Sequence, residues 1–478
     1  MPNLEEFLAE NKSMIIAPAG YGKTHTIMEC VKLCEVGKKC LILTHTHAGI
    51  ASIKEKMKRG QVEPSKYSLE TICGFALQYT NAFHIDKKSI PGVENAGKYF
   101  NFAINATIKI LQAKPIKEVI KNTYSHLIVD EYQDCTQNLH QLIRSLSDIL
   151  PTHILGDPLQ GIFGLGDSRL VDMESNQEMA GLNQNKQILD IPWRWNNAIA
   201  IGLGQALSRI RLSLLNHEKI DLNQYKSNIK VIIANENQYN LYQQVIWQEI
   251  NASHTQSLLL IHPETKTSTP RLNFVKHFPP IRLIESIDNK DFYVYAKQFD
   301  EMQGKDLITF ILSFMNKITL TTEIKKWFKD DHTLKNKRSE ADKKVCNDLY
   351  EVIRQLLEKK TLQNIDIFIE KILKLPQNRC YRNELLFNIR KSLHTSIITG
   401  DTVYESMKKN RDIVRRQGRK VIGKCIGTTL LTKGLEFDTV ILLNAHRFND
   451  RKHLYVALTR ASKKLIIITE NPILNPYS

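Results

Sequence analysis

Residues 17–24 read Ala-Pro-Ala-Gly-Tyr-Gly-Lys-Thr, directly after the apolar run Ser13–Ala17 and directly before a helical stretch. Gly20 and Gly22 permit tight turns, so successive backbone N–H groups can face a single anion. The helix that follows offers the positive end of its dipole to the same point. Lys23 is placed to reach the β- and γ-phosphates of a nucleotide, and the Thr24 hydroxyl to ligate Mg²⁺. A glycine turn with a surface lysine is the plainer alternative, and the strand–loop–helix context weighs against it.

A second element, Leu127-Ile128-Val129-Asp130-Glu131-Tyr132-Gln133-Asp134, sets two acids at the carboxyl end of an apolar strand. In an open α/β sheet this is where a metal and an attacking water are handled. Asp130 is suited to hold Mg²⁺ through water, and Glu131 to polarise the nucleophilic water as general base. A solvated acidic turn is the alternative. A third strand runs into Leu155-Gly156-Asp157-Pro158-Leu159-Gln160-Gly161-Ile162-Phe163, which puts Gln160 where it could sense the γ-phosphate or its water. Taken by itself, that segment reads equally as a β-turn.

The rest of the chain fits this beginning. Early apolar runs at Ser13–Ala17, Leu41–Thr44, Leu127–Val129 and His153–Leu155 alternate with helical patterns such as Asn138–Leu150. Later runs at Lys230–Ala234, Leu258–Ile261, Val421–Ile426, Val440–Asn444 and Leu465–Thr469 do the same. Such alternation predicts α/β architecture, parallel sheets covered by helices. Two clusters of it predict two lobes, 1–75 with 123–225 and 226–283 with 416–478. A small helical insertion is expected at 76–122 and a larger one, rich in Lys, Glu, Leu and Ile, at 284–415. A chain of 478 residues accommodates roughly three compact units, so this division is of the right size.

Charge narrows the partner. There are 66 Lys and Arg against 50 Asp and Glu, a net charge of +16, which favours a polyanion, nucleic acid before membrane. No run approaches the ~18 apolar residues that cross a bilayer. The opening Met1-Pro2-Asn3-Leu4-Glu5-Glu6 is acidic where a secretory signal is basic, so a cytoplasmic location is expected. The eight cysteines lack paired CxxC spacing, and even the Cys30, Cys34, Cys40 group reads as buried thiols rather than a metal site. One basic stretch, Lys408, Lys409, Arg411, Arg415, Arg416, Arg419, Lys420 and Lys424, could contact phosphates, form a solvated helix face, or meet an acidic partner.

Taken in order along the chain, these segments resemble the UvrD/Rep branch of superfamily 1 DNA helicases. Thr44-His45-Thr46-His47-Ala48-Gly49-Ile50-Ala51 is similar to the family's TFTNKAA segment, and Glu70-Thr71-Ile72-Cys73-Gly74-Phe75 to its GTFHSF segment. Ile191-Pro192-Trp193-Arg194 occupies the place of its NYR motif. Thr432-Lys433-Gly434-Leu435-Glu436-Phe437 corresponds to KGLEF, and Leu454-Tyr455-Val456-Ala457-Leu458-Thr459-Arg460-Ala461 to YVAxTRA. The resemblance implies two RecA-like P-loop NTPase lobes that use ATP and Mg²⁺ and act on DNA. It implies that Arg194 and Arg460 contact the γ-phosphate, that Glu436 meets the ribose, and that Trp193 stacks on the adenine. It extends the nucleotide set to Ala19, Tyr21, His25 and Gly434, and places DNA contacts at Thr44, His45, His47, Thr71, Phe163 and Thr428.

The departures from the family are uneven. The phosphate, metal and γ-phosphate residues are all present. Several DNA-facing positions differ: His45 and His47 replace an aromatic and an Asn, Cys73 replaces a His, Leu165 a Trp, and Leu430 a His. Base stacking contributes about 1–3 kcal/mol per base, so the Trp is a substantial loss of grip. No Gln precedes Gly20 to read the adenine. Little chain follows Arg460, so a fused nuclease is not expected, and strand cleavage would fall to another chain. Together these features suggest an ATP-dependent DNA translocase or helicase, 3′ to 5′ by resemblance. Its compact form is similar to the helicase-like subunit of two-gene anti-phage systems such as Gabija, whose partner is an OLD-family nuclease. A regulatory ATPase subunit that senses nucleotide or DNA without translocating, and a stand-alone DNA-repair helicase, are the alternatives.

Overall fold

The computed structural model describes residues 2–35, 37–86, 89–91, 96–163, 169–234, 239–252, 257–286, 289–417 and 421–477. The strands are β1 Lys12–Ile16, β2 Lys39–Thr44, β3 Tyr67–Thr71, β4 Tyr124–Val129, β5 Thr152–Gly156, β6 Lys186–Ile188, β7 Ile220–Asp221, β8 Lys230–Ile233, β9 Leu258–Ile261, β10 Arg282–Leu283, β11 Lys424–Gly427, β12 Phe437–Leu442, β13 Ala461–Thr469 and β14 Ile473–Leu474. They form two six-stranded parallel sheets, β3-β2-β4-β5-β1-β6 and β10-β11-β9-β12-β13-β8, and a small antiparallel β7–β14 pair. The fold is α/β, as the alternation of apolar runs predicts.

Helices on both faces explain why the central strands are continuously apolar rather than alternating. In the first sheet Met14, Ile16, Leu41, Leu43, Leu127, Val129 and Ile154 pack against Phe75, Leu142, Ile143 and Leu146 from the flanking helices. Register matters more for function. Ile16 pairs with Gly156, and Val129 with Ile154, so β1, β4 and β5 end side by side. Ala17 N–H then donates to Gly156 O at 2.9 Å and Asp130 N–H to Leu43 O at 2.8 Å. The loop after β1, the acids after β4 and the turn after β5 thus leave the sheet at one edge.

By compactness the chain divides into residues 1–246 with 433–478, and residues 247–432. These limits fall at 246 and 432 where the expected lobe limits fall at 226 and 416; β8 and β13, which pair, both lie in the first unit. In the second unit, helices Lys290–Glu301, Gly304–Ile318, Glu340–Glu358, Leu362–Leu373, Asn383–Thr399 and Val403–Gln417 enclose Phe292, Phe299, Phe314, Leu349, Phe368 and Leu393. Phe299 meets Phe310 and Phe314 edge-on at 4.8 and 5.6 Å, a favourable quadrupole arrangement. Asp300 accepts the N–H groups of Val403 and Tyr404 and so caps a helix that is not its own. Among the described residues, no helix is long and apolar enough to cross a membrane.

The expected basic stretch takes a different form. Arg411 lies on the inner face of its helix, fully buried, 4.1 Å from the Phe292 ring centroid and 3.4 Å from Glu384. Helical periodicity separates it from its exposed neighbours, so it offers no charge to a phosphate. Lys408 pairs with Glu405 and Lys409 with Asp401, while Lys424 donates to Ile250 O. The side chains of Arg415 and Arg416, and the residues Arg419 and Lys420, lie outside those described.

Two buried polar groups yield tests. In the second unit Glu285 is held by Arg382 at 2.5 Å and by Leu385 N–H at 3.0 Å, with both side chains almost fully buried. Replacing Arg382 by Met strands a buried carboxylate and is expected to cost about 3–5 kcal/mol, read as a lower urea midpoint. In the first unit Ser13 Oγ donates to Phe7 O, so it accepts from His153 Nδ1 at 2.7 Å, leaving His153 Nε2 to accept from His126 at 3.0 Å. Burial drives the His153 pKa down to about 3 and that of His140 to about 4. Both stay neutral when folded but titrate near 6.5 when unfolded. Their stabilisation is therefore complete above about pH 6.5 and declines as pH falls toward about 4 for His140 and about 3 for His153. The melting temperature should drop across that window, and less steeply in His153→Asn.

Candidate nucleotide site

The loop after β1 turns through Gly20 at φ +80° and Gly22 at φ +90°, conformations that disfavour any side chain with a Cβ. Space demands glycine as well. A Cβ on Gly20 would stand 2.9 Å from Arg194 Cβ, and one on Gly22 3.1 Å from the Trp193 ring. Arg194 N–H donates to Gly20 O at 2.9 Å, so the Trp193–Arg194 pair is built against the loop. Gly22 precedes the helix Lys23–Leu33 and offers no side-chain cap, so the helix's first N–H groups have no partner within the helix.

Lys23 Nζ lies 2.9 Å from Asp130 Oδ1 and 2.5 Å from Glu131 Oε1. Burial alone would lower its pKa, but the two carboxylates outweigh this and raise it well above the ordinary lysine value. Burial likewise favours protonated Glu131, yet Lys23, Lys433 and a hydrogen bond from Gln133 hold it ionised, with a pKa of about 2. Asp130 is shifted upward, chiefly by its burial. Glu131 adopts φ +54°, a left-handed conformation uncommon for a glutamate, and its carbonyl accepts Asp134 N–H at 3.0 Å. Gln133 reads in two directions: its amide N–H₂ donates to Glu131, and its amide oxygen accepts Asp157 N–H at 3.0 Å.

Arg194 is clamped at both terminal nitrogens, by Thr459 O and Glu436 Oε1, each at 2.5 Å. Its Nε is buried with no hydrogen-bond partner among the described residues, an orphaned donor beside the loop. Arg460 is 2% exposed and donates to Val456 O, Leu435 O and Thr459 Oγ1. Burial and the neighbouring Arg194 lower its pKa to about 10, so it stays charged at neutral pH. Trp193 is 38% exposed. Thr24 is half-buried, His25 largely exposed, and Gly434, at φ +80°, borders open space.

Other expected contacts are occupied differently. Ala19 N–H donates to the Tyr455 hydroxyl at 3.3 Å, and the Tyr21 hydroxyl shares a 2.5 Å hydrogen bond with Ser208. The Gln160 side chain donates to Asp157 Oδ2 at 3.0 Å. Among the residues expected to touch DNA, Thr71 is buried and caps Gly74 N–H, and Thr428 is buried with its hydroxyl on Leu431 N–H. Thr44 Oγ1 is buried without a partner among the described residues. The His45 ring turns inward to Cys135 Sγ at 3.4 Å, and burial lowers its pKa to about 4, leaving no charge for a phosphate. His47 is exposed, Phe163 half-buried, and Leu165 lies outside the described residues.

Several residues that hold this site together carry no strong signal in the sequence. Lys433, Gln133, Asp134 and Tyr455 stand inside motifs whose neighbours point more directly to chemistry. Arg211 has no local signal at all; it pairs with Asp157 at 2.7 Å and lies 5.3 Å from the Tyr455 ring.

Residues 3–164 match the AAA domain family, and residues 426–468 match the UvrD-like helicase C-terminal domain. The chain is 24% identical over 387 residues to Gabija protein GajB of Bacillus cereus (strain VD045), covering 79% of this chain and 70% of that protein. It is 28% identical over 161 residues to the A-subunit of the ATP-dependent helicase/nuclease of Lactococcus lactis subsp. lactis (strain IL1403), covering 32% of this chain and 13% of that one. Among solved structures, the Pif1 helicase from Candida albicans aligns at 10% identity with a TM-score of 0.39, over 98% of this chain and 93% of that one. The arterivirus nonstructural protein 10 helicase, in complex with DNA, aligns at 10% identity and a TM-score of 0.32, over 97% and 62%.

The loop geometry makes a direct prediction. Gly20→Ala combines left-handed strain of about 1–2 kcal/mol with the clash at Arg194. It is expected to weaken binding of a fluorescent ATP analogue by about tenfold or more in a titration.

Proposed function

The chain belongs to the UvrD-like superfamily 1 helicases and carries their ATP-dependent helicase domains, and from this premise we propose that it is a Mg²⁺-dependent motor that moves 3′ to 5′ along single-stranded DNA. The observation that carries the reading is the ion-pair cluster of Lys23, Asp130 and Glu131 at the edge of the first sheet, with Asp130 buried and the other two partly so. An ionised carboxylate beside a lysine after a glycine loop is suited to activating water near a phosphoryl group.

The donor set fits the nucleotide and its metal. The hydroxyl of Thr24 and the carboxylate of Asp130 are hard oxygen ligands of the kind Mg²⁺ takes with phosphate and water. The orphaned Arg194 Nε, packed against the loop, fits an anionic group. ATP bound there supplies the phosphoryl group, and Mg²⁺ offsets its charge. In this reading Lys23 draws the phosphates to the loop, and Glu131 accepts the proton of the attacking water. Arg194 and Arg460 supply positive charge to the γ-phosphate. Trp193 offers its face to the adenine, with Tyr21, His25 and Gly434 bordering the nucleotide, while Glu436 takes the ribose and gives up Arg194.

Similarity to Gabija protein GajB over most of the chain supports a place in anti-phage defence, with a separate OLD-family nuclease as partner. A regulatory ATPase subunit that does not translocate is the second reading. The inward-turned His45 and the capped hydroxyls of Thr71 and Thr428 favour it, because they remove contacts a motor would use on a strand.

Steady-state ATP hydrolysis with and without single-stranded DNA separates the two. A motor is expected to show strong stimulation, with Glu131→Gln lowering turnover about 100-fold or more while still binding ATP. DNA-insensitive hydrolysis supports the regulatory reading, and equal turnover in Glu131→Gln removes the site assignment.

A further inference from the structure

Lys433 is assigned no contact with nucleotide or strand in the reading above, yet its charge is tightly constrained within the first unit. Its side chain is 6% exposed. Its ammonium lies 2.6 Å from both oxygens of Asp134 and 2.6 Å from Gln160 O, donating to acceptors on two different segments. It also stands 4.3 Å from the centroid of the Phe163 ring. Burial lowers its pKa, against the pull of Asp134 and Glu131. A lysine is costly to place here unless its charge has work to do, since a methionine of similar length would fill the space without desolvation.

The two segments it joins have different ends. Asp134 closes the short turn that begins at Glu131, donating its N–H to Glu131 O. Gln160 lies on the segment that runs from Asp157 to Phe163, whose other end is tied to Glu131 through Gln133. Lys433 therefore fixes the spacing between the turn carrying Glu131 and the segment carrying Phe163. A base stacked on Phe163 would press on a ring that already faces the ammonium, and any shift of that segment pulls on the Gln160 carbonyl and so on Asp134.

We infer that Lys433 is a positioning residue that couples occupancy of the Phe163 ring by a nucleobase to the placement of Glu131, through its simultaneous hold on Asp134 and Gln160. The inference rests on the motor reading above, in which single-stranded DNA stimulates hydrolysis. It assigns Lys433 to neither ATP nor DNA directly, which gives it a signature distinct from that of a contact residue.

The test uses the full chain, ATP, and a fluorescein-labelled oligothymidylate as the DNA probe. Turnover is measured with and without the oligonucleotide, and its affinity by anisotropy. Lys433→Met is expected to lower the ratio of stimulated to unstimulated turnover by about tenfold, within the roughly 5–150-fold typical of coupled sites. The oligothymidylate affinity should stay within about threefold, and Lys433→Arg, which keeps the charge, should recover most of the ratio. Asp134→Asn removes the same ion pair from its other side with little change in shape. It should reproduce the loss, and it carries the test if Lys433→Met does not fold. An unchanged ratio in both variants overturns the inference. So does a parallel loss of stimulated and unstimulated turnover, which marks a purely structural lysine, or a loss confined to DNA affinity, which marks a direct contact. Absence of stimulation in the natural sequence overturns the motor reading, and this inference with it.

Discussion

Two carboxylates and an ammonium share a water-poor edge of the first sheet, and much of the surrounding structure serves to keep them there. Asp130 and Glu131 adjoin each other in the chain and would repel without a cation between them. Lys23 supplies it from the start of a helix whose position is set by the glycine loop after β1. The sheet brings them together through register: β1 and β4 do not pair, and both pair with β5. Moving any of these strands by one residue would reverse its side chains and break the cluster.

Around that cluster, polar side chains act as rigid links rather than as independent contacts. Gln133 joins Glu131 to the turn at Asp157. Asp157 anchors Arg211 and Gln160, and Tyr455 touches the loop at Ala19. Removal of one member leaves its neighbour buried and unpaired, so deletions here are not additive. The clamp on Arg194 belongs to the same network. Its guanidinium is held by groups from the final segment of the chain while its Nε remains without a partner among the described residues.

Elements with strong local patterning are legible from the amino-acid order. The apolar runs at Leu41–Thr44, Leu258–Ile261 and Leu465–Thr469 fall within β2, β9 and β13 because both faces of those strands are covered. Edge strands carry too weak a pattern to be read. β6 is three residues with two exposed, β10 is two residues, and β3 reads Tyr-Ser-Leu-Glu-Thr with mostly half-buried side chains. β12 begins at Phe437, ahead of the apolar run Val440–Asn444, because Asp438 and Thr439 interrupt the apolar signal even though Thr439 is buried. At the site, the glycine loop and the acids after β4 are contiguous and can be read directly. What adjacency does not encode is where a side chain turns once packed. Arg411 faces inward, the Gln160 amide turns to Asp157, and Lys433 meets a partner far away in the chain.

The order of segments along the chain also sets a schedule. Residues 247–432 form a compact unit of their own between the two stretches that make up the first unit. Lys433, Glu436, Tyr455 and Arg460 are therefore synthesised only after that whole unit has been made. At about 5–20 residues per second, the glycine loop and its acids wait many seconds on the ribosome without the side chains that brace them. During that interval β12 and β13 are absent, and the nascent chain holds a phosphate loop without Arg460. The bracing of the loop and its acids thus arrives only with residues 433–460, so a chain halted before them lacks the contacts of Lys433, Glu436 and Tyr455.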